Sequence, residues 1–114
     1  MSERINLPSG GWFDVRDARE VTERSRRPIR YAAANLQGLQ GGAAFEAWDK
    51  VVDLASVALI TEWSHPQAVN VDGLLDIPPA DCDAIRAVIE PRMSDLLPNF
   101  GPSGASDPKA DSTV

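Results

Sequence analysis

One cysteine and one histidine are all that this 114-residue sequence offers for thiol or imidazole chemistry. Cys82 alone closes no internal disulfide and builds no cysteine-rich zinc site. His65 alone excludes any mechanism that takes two imidazoles from one chain. A membrane-spanning run is also missing. The longest stretch without a charge, Tyr31 to Phe45, is interrupted by Asn35, Gln37, Gln40 and three glycines. It falls short of the roughly 20 apolar residues that a span requires. Met1 to Leu7 carries charges and no apolar run, so no signal peptide is expected there and the expected compartment is the cytoplasm. Gly10-Gly11 and Gly41-Gly42 lack the spacing and the lysine of a phosphate-binding loop. Positive charge is scarce: 11 Lys and Arg stand against 17 Asp and Glu, a net charge of −6. That argues against nucleic acid as the partner, because displacing counterions needs clustered cations.

What remains is the composition of an ordinary small globular domain, with 43% hydrophobic and 25% charged residues. Aromatics reach only 6%, yet three of them are Trp, large enough to organise a small core. The patterning predicts a mainly α fold: a small domain of three to four helices over residues 1–97, opened by an N-terminal β-hairpin. Residues 98–114, almost without large apolar side chains after Phe100, are expected to be a disordered, flexible tail.

For the hairpin, Ile5 and Leu7 alternate with polar neighbours, Pro8-Ser9-Gly10-Gly11 signals a turn, and Trp12 to Val15 resumes a strand-like run. Thr22 suits the N-cap of a short helix or turn leading to Pro28. Pro28 itself suits the first turn of a new helix bearing Ile29, Ala32, Ala33, Leu36 and Leu39. From about Ala43 to Trp63 a long helix is expected, with Phe45, Trp48, Val52, Ala55 and Leu59 on one face, ending at Ser64-His65-Pro66. Asp72 is placed to cap a single turn. Pro78-Pro79 opens a last helix carrying Cys82, Ile85, Val88, Ile89, Met93 and Leu96, with a kink at Pro91.

No constellation in the sequence reads as catalytic, and no enzyme activity, cofactor or metal is expected. Asp81 and Asp83 fall in the first turn of the last helix and read as solvated acids facing its dipole. Asp49 and Asp53 read as a solvated stripe. His65 reads as a cap or surface residue, and Cys82 as a structural core thiol. Charge distribution says more. Residues 1–30 hold seven Arg and five acids, net +2, whereas residues 31–114 are net −8. Arg24, Arg26, Arg27 and Arg30 form a basic cluster. It reads first as a solvated face neutralised by neighbouring acids, and second as a docking surface for an acidic protein. The tryptophans read as core, with an interface anchor as the other reading.

Several segments resemble the small tail assembly chaperones of long-tailed phages and prophages of actinobacteria. They are Leu7-Pro8-Ser9-Gly10-Gly11-Trp12, Asp14, Arg16-Asp17, Val21-Thr22-Glu23-Arg24 and Arg26-Arg27-Pro28. Further on come Glu62-Trp63-Ser64, Leu74-Leu75-Asp76-Ile77-Pro78, Asp83-Ala84, Leu97-Pro98-Asn99-Phe100 and Asp107-Pro108-Lys109. The pieces span most of the chain, and their order carries the likeness. The resemblance implies a non-enzymatic, cytoplasmic protein that coats the long helical tape measure protein and helps recruit the tail tube protein, with self-association as a further expectation. It also implies a frameshifted longer form in many such phages. The residues expected to meet a partner are Arg24, Arg26, Arg27 and Arg30, with Trp63, Leu74 and Leu75. The alternative function is a structural virion protein such as a head–tail connector subunit.

Overall fold

A computed structural model describes residues 2–97 of the chain; the expected tail over 98–114 lies outside the described residues. Two strands open the fold, β1 (Ser2–Asn6) and β2 (Trp12–Arg16), paired antiparallel from Ser2 with Arg16 to Asn6 with Trp12. The turn between them is closed by Leu7 N–H to Gly11 O at 2.8 Å and Gly10 N–H to Leu7 O at 3.0 Å. Gly10 sits at φ 94°, a conformation open to glycine and costly to other residues. The sequence-predicted hairpin is therefore present.

After a 3-10 turn at Ala18–Glu20 comes α1 (Glu23–Ala34), with Thr22 as the N-cap accepting from Ser25 N–H. Pro28 lies inside this helix, so the expected restart at Pro28 does not occur. The bond that proline forfeits is the one to the Arg24 carbonyl, and Arg24 is exposed, where water replaces the missing donor. Buried Ile29 and Ala32 seat α1 against α2 (Gly41–Leu59), which buries Val51, Val52, Ala55, Ser56 and Leu59.

The expectation of a mainly α fold is corrected at the end of α2. The helix stops at Leu59, and Ile60–Trp63 forms a third strand, β3, antiparallel to β2. The sheet has the order β1-β2-β3, so the domain mixes helices with a three-stranded antiparallel sheet. Sequence periodicity hides this because Ala55, Leu59 and Trp63 recur at a helical spacing of four. The register slips between Asp14 and Val15, so that Phe13 faces Trp63, Asp14 faces Glu62 and Val15 faces Ile60. Strict alternation would put Ile60 and Trp63 on opposite faces; the bulge lets both reach the core. On the other face, Arg4 bridges to Asp14 at 2.8 Å and lies 3.7 Å over the Trp12 ring. Hydrogen bonding from Arg4 holds the Asp14 carboxyl below its ordinary range.

A short helix, α3 (Val71–Leu75), follows. Its cap is Asn70, which accepts from Gly73 N–H at 2.7 Å, and not the expected Asp72, which falls in the first turn. The last helix, α4 (Pro79–Ile89), starts at Pro79 as the sequence indicates. At Pro91 it gives way to a 3-10 segment, Glu90–Asp95, in place of a continued α-helix. Phe13, Val51, Val52, Leu59, Ile85, Ile89, Met93 and Leu96 meet in one core beneath the sheet.

Two glycines test this packing in opposite directions. A Cβ at Gly73 would meet the Ala68 carbonyl oxygen at 1.9 Å, whereas one at Gly42 would meet nothing within 4 Å. Gly73→Ala is expected to cost about 3 kcal/mol, and Gly42→Ala to gain about 0.5–1 kcal/mol. Urea denaturation of the two variants checks both signs.

Candidate functional site

The basic cluster lies along α1. Glu23 at the first helical position gathers three of its four cations: Arg26 at 2.8 Å, Arg27 at 3.0 Å and Arg30 at 3.9 Å. Hydrogen bonding from Arg27 leads the effects that hold Glu23 below its ordinary range. Arg24 is exposed and points along the same outer face as Arg27 and Tyr31, at spacings of three and four. The three partner-contact residues expected outside α1 separate. Trp63 is 6% and Leu74 is 3% exposed, so both are core residues, while Leu75 is 69% exposed. Of those three, only Leu75 is presented to another molecule.

Elsewhere the fold builds a polar cluster that sequence reasoning missed. Asp81, read as a solvated acid, is 0% exposed. Its Oδ1 accepts from Ser9 N–H at 3.0 Å; its Oδ2 accepts from Ser9 Oγ at 2.5 Å and lies 2.9 Å from His65 Nε2. An ionised carboxylate only accepts, so the imidazole nitrogen is the donor. Burial pushes the Asp81 carboxyl up, but the bonds from Ser9 and His65 outweigh it and hold the group below its ordinary range. His65, read as a cap or surface residue, is largely covered: its ring stands edge-on to Trp63 at 5.6 Å between centroids.

Local sequence explains how the three residues meet. The Pro8–Gly10 turn presents Ser9. Gly11 permits close approach of the next segment, since a Cβ there would lie 2.3 Å from Ser64 Oγ. Ser64 clasps Trp12 twice, its backbone N–H donating to Trp12 O and its Oγ accepting from Trp12 N–H, both at 2.9 Å. Trp63 donates its indole N–H to Gln67 O at 2.7 Å, which curls the loop carrying His65. Pro78 caps α4 and sets Asp81 in its first turn, where the helix dipole favours a carboxylate. A signal was available: Asp81, Ile85 and Ile89 recur every four residues, placing the acid on the buried stripe.

Chemically this arrangement holds segments together. The histidine does not stand between serine and carboxylate, as a nucleophile's base would. A carboxylate below its ordinary range is a weak base for a serine hydroxyl. Cys82 is only partly buried; burial still pushes its thiol up, away from the reactive thiolate. Asp49, read as solvated, pairs with Arg86 at 3.0 Å. Among the described residues no group of three or more His, Cys, Asp or Glu is placed to hold a metal ion, and no helix is long and apolar enough to cross a membrane.

Two hollows open on the surface. One, of about 360 Å³, is lined by charges of both signs, Glu3, Arg16, Asp17, Arg92 and Asp95. The other, of about 430 Å³, is apolar and lies where α1 turns into α2, between Leu36, Gly41, Ala44, Phe45 and Trp48. Phe45 is 75% exposed at its lip. The apolar stripe of α2 thus runs past the core at its N-terminal end, from Trp48 at the core's edge to Phe45.

Comparison with known proteins finds no matching family model, no matching curated protein and no matching solved structure.

Removing the buried charge tests its structural role. Asp81→Asn leaves Ser9 and His65 poorly matched and is expected to cost about 1–3 kcal/mol at neutral pH. Because the folded-state pKa is depressed, the stabilisation is present above the unfolded carboxylate range and is lost as pH falls through the folded value. The stability gap between wild type and Asp81→Asn should therefore close on acidification. A gap that stays constant down to acid unfolding would contradict this account.

Proposed function

We propose that this chain is a non-enzymatic binding protein, a cytoplasmic tail assembly chaperone that holds the tape measure protein and assists recruitment of tail tube subunits. The observation that carries the reading is the uncovered apolar ledge around Phe45. In a domain this small, a large aromatic side chain left in water beside an apolar hollow is the mark of a surface that another protein covers.

The likeness to the chaperones fits the same picture. Residues 7–12, 62–64 and 74–78, three of the segments that carry it, lie around the Asp81 cluster. What they share is a way of holding a fold, not a reaction centre. The basic outer face of α1 offers a second contact, through Arg24 and Arg27 beside Tyr31. Leu75 offers a third.

The test is co-expression with a tape measure protein. The two should co-purify, and mass spectrometry of finished particles should find the tape measure protein without this chain. Particles that retain this chain in stoichiometric amount, with no co-purification, would make it a structural virion component instead.

A further inference from the structure

The ledge around Phe45 is bordered unevenly by charge. On its sequence-upstream side, residues 31–44 contribute none. On the other side, Glu46 follows Phe45 directly and Asp49 lies one turn further along α2. Glu90 stands at the Trp48 indole and accepts its N–H at 3.1 Å. Two cations share this border. Arg86 is committed to Asp49 at 3.0 Å and approaches Glu90 at 3.9 Å, while Lys50 lies one turn from Glu46. Glu46, Asp49 and Glu90 against Arg86 and Lys50 leave the rim with a net negative charge.

We infer that the ledge receives an amphipathic helix of a partner polypeptide whose apolar stripe is flanked by lysine or arginine. The inference rests on the reading of the chain as a helix-holding chaperone and names the chemistry of the helix it holds. An apolar groove takes side chains at i, i+3, i+4 and i+7, and cations beside them would meet Glu46, Asp49 and Glu90. A second copy of this chain fits less well. Two such ledges face to face would set one acidic rim on another, and the chain as a whole carries −6.

The probes are two synthetic helices of about 18 residues, long enough to be helical once bound. Both carry leucine at the spacing above; one has lysine flanks and the other glutamate flanks. With the full chain, the lysine helix should bind roughly tenfold or more tightly than the glutamate helix, and less tightly as salt rises. Phe45→Ser should weaken that binding roughly tenfold while leaving the unfolding transition in place, because the side chain is 75% exposed. Equal binding of the two helices would overturn the inference. So would full binding by Phe45→Ser, or a concentration-dependent dimer abolished by that substitution. Co-purification of the tape measure protein by Phe45→Ser at wild-type level would overturn the ledge and leave the chaperone reading. Binding of the lysine helix at Phe45, without any tape measure co-purification, would uphold the ledge and overturn the chaperone reading.

Discussion

A single buried carboxylate connects the three parts of this fold that local sequence leaves separate. Asp81 belongs to α4, Ser9 to the hairpin turn and His65 to the loop after β3; the β2–β3 ladder joins the last two, and Asp81 ties both to α4. Burying an ionised group without partners costs several kcal/mol or more, roughly the net stability of a small domain. Here Ser9 supplies two hydrogen bonds and His65 a third, enough to keep the group ionised. The consequence is directional. Where Ser9 meets Asp81 the hairpin is docked on α4, with Leu7, Phe13 and Val15 in the core. Once β2 is fixed, β3 has a template to pair with, and the first turn of α4 is closed from above.

The local parts of this architecture are legible in the sequence. Thr22, Pro79, Pro91 and the Pro8–Gly11 turn each act through their own backbone geometry, and the structure uses them where they stand. What the sequence hides depends on partners far along the chain. Residues 60–63 keep the helical apolar spacing of α2, and only pairing with β2 turns them into strand. Pro28 stays within the helix, and the residue whose carbonyl it leaves without a helical donor, Arg24, is exposed. The candidate sites divide the same way. The basic cluster on α1 is visible as a run of arginines, but its neutralisation by Glu23 needs the helix to be continuous through Pro28. Asp81 is hidden in plain view by its place at a helix N-terminus, where a solvated acid is the usual occupant. Trp63 and Leu74 are drawn into the core by the Trp63–Gln67 bond and by close packing at Gly73.

The two ends of α2 show the difference between an apolar residue and a buried one. Val52, Ala55 and Leu59 share a stripe with Phe45 and Trp48, and periodicity gives all five the same standing. The core is only as long as the elements that cover it. The sheet and α4 lie over the C-terminal part of α2, and Trp48 reaches the edge of that cover by bonding Glu90. Beyond it the stripe continues with nothing above it. The run from Tyr31 to Phe45, the longest without a charge, lies only partly in the core. It forms the exposed bend of the α1–α2 hairpin, where Tyr31, Leu39 and Phe45 all remain in contact with solvent.

That exposure has a thermodynamic meaning. Burying a phenylalanine side chain is worth about 1.5–3 kcal/mol. A domain of this size holds a net stability of only about 5–15 kcal/mol. Leaving Phe45 in water therefore forgoes a sizeable fraction of what the fold could gain by covering it. Three quarters of that side chain stays uncovered by the fold. The Asp81 cluster and the Phe45 ledge are complementary in this sense. The first takes up a charge that the fold satisfies internally, through Ser9 and His65. The second leaves apolar surface that the fold itself does not cover.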